Sequence, residues 1–262
     1  MNRRIVLLGL AGTAALQRTL AAQAATQPQS AGCTPTTTPD GHPANAYWTA
    51  HDKQLLTDFG WLARYKDDNA KLGPPAPGED RIVFMGDSIT EIWHLDKSFP
   101  GKPYVNRGIS GQTTPQMLVR FRQDVIDLKP KVVVILGGTN DIAGNTGPMT
   151  PEQTQGDIES IAELAHASGI HVVLCSIPPS VKFPWAPTIQ PAQTILDINA
   201  WIRAYAARKG YPYVDYHSAL KDSENGFPLT ISLDGVHPKP SGFAIMAPLV
   251  QAGITKALHG NI

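Results

Sequence analysis

Residues 82–94 read IVFMGDSITEIWH. Four apolar residues run without alternation into Gly86, Asp87 and Ser88, and a helical pattern starts at once. A continuous apolar run predicts a strand buried on both faces, as in parallel sheets covered by helices on each side. The pattern recurs along the chain. Short β-branched runs at RIVFMG, KPYVN, KVVVILGG, IHVVLCSI and YPYVDY alternate with helical segments at 113–128, 150–168, 191–209 and 239–258. This order predicts an α/β protein of three layers, α/β/α, around a parallel sheet of about five strands.

Local signals mark the helix ends. Thr114-Pro115 and Thr150-Pro151 put a capping residue before a proline, and Thr150 with Gln153 makes a capping box. Gly169 and Gly210 stand where C-terminal caps belong. Pro248, inside the last segment, predicts a kink or a split.

Upstream of the strand, Trp48, His51, Leu55, Phe59 and Leu62 recur at three and four residues, with Leu56 and Tyr65 alongside. They predict an additional N-terminal amphipathic helix over 45–71, packed on a domain of residues 44–262. Residues 25–43, rich in Thr, Gln, Pro, Ala and Ser, read as a flexible tether. The first 24 residues place a basic start before a short apolar stretch and close on Ala22-Gln23-Ala24, the pattern of a cleaved secretory signal peptide. The stretch is too short for a membrane span. Arg3 and Arg4 also suit twin-arginine export. The expectation is a periplasmic or extracellular protein.

The chain has 262 residues and 22 basic against 22 acidic side chains, so its net charge gives no reason to expect nucleic acid or an anionic membrane as partner. Two cysteines exclude a disulfide framework, and Cys175, within an apolar run, reads as a small core residue. No zinc-type Cys/His spacing occurs in the sequence.

The carboxyl ends of parallel strands line the ligand crevice. Gly86-Asp87-Ser88, then residues 106–111 (NRGISG), then residues 137–141 (GGTND) follow the first three strands, so these turns converge on one edge. Serine acts as a nucleophile only when a base takes its proton and a carboxylate orients that base. His237 lies three residues after Asp234 in LDGVHPKPSG, a spacing that brings carboxylate and imidazole together within one turn. His217, two residues after Asp215, is the weaker alternative. Charge developing on an attacked carbonyl needs donors, and the backbone N–H of Gly111, the amide of Asn140 and the N–H of Ser88 are the candidates. Asp87 reads as a structural hydrogen-bonding residue. Trp93, His94 and Trp185 are candidate pocket walls or packing residues, Trp185 lying in a proline-rich loop after the fourth strand.

Alone, Ser88 reads as well as a helix cap, and Asp234-Gly235 as a turn. Together, GDSIT, NRGISGQT, GGTND and DGVHP, in this order over residues 81–245, resemble the four blocks of the SGNH, or GDSL, hydrolase family. The resemblance implies a flavodoxin-like fold and hydrolysis of esters or thioesters without metal or cofactor. It implies Ser88 as nucleophile, His237 as base, Asp234 as its orienter, and Gly111 and Asn140 as oxyanion donors. Export and the lack of a long hydrophobic lid point to short-chain esters, such as acetyl groups on carbohydrate. Lysophospholipid and thioester substrates stay open on the same fold, and a non-catalytic carbohydrate-binding module is the rival reading.

Overall fold

The computed structural model describes residues 45–260. The expected signal peptide and tether, and Cys33, lie outside them. Two helices, α1 (Ala46–Thr57) and α2 (Lys66–Leu72), precede the first strand, β1 (Ile82–Gly86). Two single-turn helices follow, α3 (Ser88–Glu91) and α4 (Leu95–Ser98), then β2 (Tyr104–Gly108), α5 (Thr114–Asp124) and a 3₁₀ turn at Ile126–Leu128. The chain continues through β3 (Val132–Leu136), α6 (Thr139–Ala143), α7 (Pro151–Ala167), β4 (His171–Cys175) and α8 (Ala192–Lys209). It closes with β5 (Tyr213–Val214), α9 (Tyr216–Leu220) and α10 (Pro240–Leu258).

All five strands pair in parallel, in the order β2-β1-β3-β4-β5. The register sets Gly86 beside Gly108 and Leu136, so three strand ends finish level at one edge. Strand side chains alternate between two cores. Val83, Met85, Val133, Ile135, Val172 and Leu174 pack with apolar residues of α5, α7 and α8. Ile82, Phe84, Val132, Val134, Val173 and Cys175 pack on the other face with Trp93, Phe99 and the Phe243, Met246, Val250 and Ile254 stripe of α10. These are the three layers. The unbroken apolar runs follow directly, because both faces of each central strand are buried.

The expected helix over 45–71 is divided. Asp58 ends α1 and turns its carboxylate onto the backbone, Oδ1 accepting from Leu62 N at 2.8 Å and Oδ2 from Ala63 N at 3.0 Å. A side chain that binds the backbone in this way competes with helix continuation. Trp61 adopts φ 49° in the same turn, and the chain re-enters helix only at Lys66. The α5 cap falls one residue earlier than expected, at Thr113, with Gln116 completing a capping box and Pro115 in the first turn. The helix ends at Asp124, because Val125 leaves helical angles, and the remaining expected turn is 3₁₀. The Thr150 and Gln153 box and the left-handed Gly210 cap stand where the sequence puts them.

Pro248 does not split α10. Proline removes the hydrogen bond to the carbonyl four residues back, and here both Pro248 and Ala244 lie on the exposed side of the helix. The buried face, carrying Phe243, Met246 and Val250, holds the helix together on the sheet.

Candidate active site

In a doubly wound sheet of this order the crevice opens between β1 and β3, where the winding reverses. Ser88 follows β1 and Asn140 follows β3, so both stand at that point. The turn after β1 is fixed from several sides. Asp87 caps α3, its Oδ1 accepting from Ile89 N at 2.9 Å. Burial pushes the Asp87 carboxyl up to about 6, against the lowering effects of that hydrogen bond and of nearby His237. The Gly86 carbonyl accepts from Ile109 N at 3.1 Å and from the Arg120 guanidinium at 3.0 Å. Asn106, on β2, donates to the carbonyls of Thr90 at 2.6 Å and Trp93 at 3.1 Å and accepts from Gly108 N at 2.8 Å. Residues of the second block thereby hold the far end of α3.

Ser88, His237 and Asp234 meet in one line. Ser88 Oγ lies 2.9 Å from His237 Nε2, and His237 Nδ1 lies 2.8 Å from Asp234 Oδ2. The three-residue spacing works through an Asx turn. Asp234 Oδ1 accepts from Val236 N at 3.0 Å and His237 N at 2.9 Å, leaving Oδ2 for the ring. Burial raises a carboxyl, but here the His237 side-chain and backbone hydrogen bonds outweigh it and hold Asp234 down at about 2. For His237 burial disfavours the charged ring, yet the bond to Asp234 and the charges of Asp234 and Asp87 prevail, so the imidazole sits above its ordinary value.

The candidate donors are ordered by a second set of bonds. Gly111 takes φ 78°, a left-handed angle that glycine adopts without strain. Asn140, nearly fully buried, donates from Nδ2 to the Gln112 carbonyl at 3.0 Å and accepts at Oδ1 from Asn145 Nδ2 at 3.0 Å. Tyr47 and His51 of α1 stand over the Gly111 turn, with Tyr47 Oη 3.0 Å from where a Cβ on Gly111 would be. The sequence did not mark α1 as a neighbour of this turn, nor Asn145, which follows Asn140 by five residues outside the quoted blocks.

The two tryptophans part company. Trp185 borders the site, its ring 6.0 Å from that of His237 and 5.2 Å from Phe183 in a stack. Trp93 is a core residue and not a pocket wall. It is only 3% exposed, stacks on Phe243 at 4.9 Å and donates from Nε1 to Ser98 Oγ at 2.8 Å, because the α3–α4 turn directs it inward. His94, exposed, precedes α4. His217 is buried in α9, its N–H bonded to Ser176 Oγ at 2.9 Å, while Asp215 caps the helix and pairs with Arg203. Cys175 is buried, its thiol pushed up to about 12 by burial. Among the described residues no group of three or more His, Cys, Asp or Glu is arranged to hold a metal ion.

A doubly wound parallel sheet with serine, histidine and aspartate hydrogen-bonded in sequence at its switch point has the architecture of an α/β/α serine hydrolase. The chain belongs to the GDSL-like lipase/acylhydrolase family, whose sequence profile matches residues 84–245. A crystal structure of a GDSL-like lipase from Bacteroides thetaiotaomicron superposes with a TM-score of 0.74 at 44% identity, covering 76% of this chain and 100% of that one. An acetylxylan esterase of Xylanibacter ruminicola is 27% identical over 249 residues, 79% of this chain and 48% of that protein. The chain thus spans about half the length of that relative. Esterase TesA of Pseudomonas aeruginosa is 30% identical over 172 residues, 60% of this chain and 79% of that protein.

Proposed function

We propose that the protein is an exported carboxylic ester hydrolase that removes short acyl groups, acetyl first among them, through a Ser88–His237–Asp234 triad. The observation that carries this reading is the line of contacts from Ser88 Oγ to His237 Nε2 at 2.9 Å and from His237 Nδ1 to Asp234 Oδ2 at 2.8 Å. Ser88 Oγ attacks the ester carbonyl carbon while His237 Nε2 takes its proton. Negative charge moves to the carbonyl oxygen, where the N–H groups of Ser88 and Gly111 and the Asn140 amide receive it. The intermediate collapses, His237 returns the proton to the leaving alcohol, and an acyl-Ser88 ester remains. Water attacks that ester with His237 again as base, releasing the carboxylic acid and restoring Ser88. Asp234 stays ionised throughout and stabilises the imidazolium.

Acetyl preference has two supports. Phe84, Trp93, Phe99 and Phe243 pack ring against ring beside α3, so that interior is filled by side chains and closed to a long acyl chain. The acetylxylan esterase relative supports an acetylated carbohydrate as the alcohol side, against which Trp185 offers an aromatic face. Export rests on the composition of residues 1–24, and the functional domain on residues 44–262. Among the described residues no helix is long and apolar enough to cross a membrane.

A fluorophosphonate probe on the full chain tests the reading. Labelling at Ser88, abolished with turnover in a folded Ser88→Ala variant, is the expected result, with p-nitrophenyl acetate hydrolysed faster than the octanoate ester. Unlabelled, folded protein that binds acetylated xylo-oligosaccharides without hydrolysing them would identify a binding module instead.

A further inference from the structure

Asn145 is 1% exposed, follows α6 and hydrogen-bonds to neither Ser88 nor His237, yet both polar atoms of its side chain are engaged. Its Nδ2 donates to the Gly111 carbonyl at 3.0 Å and to Asn140 Oδ1 at 3.0 Å. Its Oδ1 accepts from Trp185 Nε1 at 3.0 Å. An amide has one donor end and one acceptor end, and reversing it exchanges them. Here the polarity is fixed by groups that cannot reverse. The Gly111 carbonyl only accepts and the indole N–H only donates, so Asn145 has one satisfactory orientation.

That orientation dictates the next one. Asn145 Nδ2 requires an acceptor from Asn140, which must therefore present Oδ1. The opposite end of Asn140 then faces the Gln112 carbonyl and binds it with one N–H of Nδ2 at 3.0 Å. The second N–H is left for the ester. A reversed Asn140 would set oxygen against the Gln112 oxygen and donor against the Asn145 donor, two buried mismatches that each leave a polar group unsatisfied.

Building on the esterase reading, we propose that Asn145 is the positioning residue of the oxyanion site, fixing the Asn140 amide and the Gly111–Gln112 peptide and held in turn by Trp185. Asn145 touches no reacting atom. Its effect is to keep the Asn140 donor pre-aimed and the Gly111 turn anchored through its carbonyl, so that neither needs to reorganise when charge develops. Substrate contact at Trp185 and donor alignment at Asn140 thereby share one side chain.

The test is a double-mutant cycle on the full chain with p-nitrophenyl acetate, kcat being expressed per active site by end-point fluorophosphonate titration. Asn145→Ala is expected to lower kcat about 10- to 100-fold, below the ceiling of about 1000-fold for deleting a donor outright, with KM changed less than about threefold. In an Asn140→Ala background the same substitution is expected to cost less than about fivefold, because its main target is already gone. Asn145→Ser, smaller and still polar, serves if Asn145→Ala does not fold, with the same two ratios expected. Trp185→Phe, which removes only the N–H, is expected to lower kcat about two- to tenfold. Wild-type kcat in a folded Asn145 variant, or an equal loss with and without Asn140, overturns the proposal. Turnover surviving Ser88→Ala would instead remove the esterase reading beneath it.

Discussion

Asp234 divides its two carboxylate oxygens between its own turn and the imidazole, and this division sets how the site responds to pH. His237 acts as base only when neutral. Its pKa lies above the ordinary 6.5, because the hydrogen bond to Asp234 and the charges of Asp234 and Asp87 outweigh the burial that would lower it. On the acid side kcat/KM should therefore fall as pH drops, with a half-point above 6.5. In Asp234→Asn the carboxylate charge is gone and burial gains the upper hand, so the half-point should move below that of the parent enzyme. The plateau rate should also fall about 10⁴-fold, as when the orienting acid of a serine triad is neutralised. A pH–rate profile of both proteins checks this, and an unmoved acid limb would show that another group titrates. Gly111 makes a second residue-scale case. A Cβ there would have to accept φ 78° and stand 3.0 Å from Tyr47 Oη. Gly111→Ala should lower kcat at least about 100-fold, the scale of one lost donor, while circular dichroism stays native. Ser88, His237, Asp234, Gly111 and Asn140 could be named as candidates from the sequence because four blocks stand together and in order, although Ser88 alone reads as well as a helix cap and Asp234 as a turn. Asn145 was not, since its role comes from three partners that only the fold brings together, and Trp93 stayed open between pocket wall and packing residue because only the packed α3–α4 turn decides which way a tryptophan near a serine faces.

Among the elements, α5 does more than cover the sheet. Arg120 on its buried face donates to Gly86 O at 3.0 Å, to Gln112 Oε1 at 2.5 Å and to Asp124 Oδ2 at 3.0 Å. It therefore ties the end of β1 to the turn that carries Gly111. Both members of the Arg120–Asp124 pair are fully buried. Removing one partner of such a pair leaves an uncompensated charge, at a cost of about 3–5 kcal/mol, whereas removing both can be nearly neutral. Arg120→Met should thus lower Tm by about 6–20 °C, at about 2–4 °C per kcal/mol for a domain of this size. Adding Asp124→Leu should recover only part of that, because Gly86 O keeps only Ile109 N, Gln112 Oε1 still lacks its Arg120 donor and Asn69 loses its acceptor on Asp124. Differential scanning fluorimetry of the three proteins separates the charge from the tether, and full recovery in the double variant would mean that the tether contributes nothing. The sequence displays α5 through its apolar period and caps, and the strands through their unbroken apolar runs. It is silent about Arg120, because a buried arginine and an exposed one are written alike. The turn between α1 and α2 was obscured for a related reason. The apolar spacing from Trp48 to Leu62 continues the helical period across it, while the Asp58 side chain captures the backbone there.

For the molecule as a whole, the two N-terminal helices act as a strap over one end of the active-site edge, and their bonds run almost entirely to the elements that shape it. Tyr65 Oη donates to Gly108 O at 2.5 Å, and its ring lies under the Arg107 guanidinium at 4.6 Å. Gln112 donates to Gly60 O at 3.0 Å and Gln116 to Phe59 O at 2.7 Å. Asn69 bridges Arg107 at 2.8 Å and Asp124 at 2.7 Å. Gly108 has no room to compensate, since a Cβ there would strike the backbone of Glu91 and lie 2.7 Å from Asp87 O. The β2 turn is thus pressed against α3 on one side and held by the strap on the other. A chain beginning at residue 74 would return these groups to water, giving up the five bonds just named, two of them buried and three part-buried, at about 0.5–1.5 kcal/mol each. Its stability should fall by about 2.5–7.5 kcal/mol, measured as a lower urea midpoint. Activity should fall further than stability explains. At a temperature where both proteins are folded, kcat for p-nitrophenyl acetate should drop about tenfold or more, because the Gly108–Gln112 turn loses its outer support while Ser88, His237 and Asp234 keep theirs. End-point fluorophosphonate titration should still count one reactive serine per folded chain. A truncated protein with full kcat and an unchanged midpoint would make α1 and α2 an appendage, and the contacts of Tyr65, Asn69 and Gly60 incidental to the turn they touch.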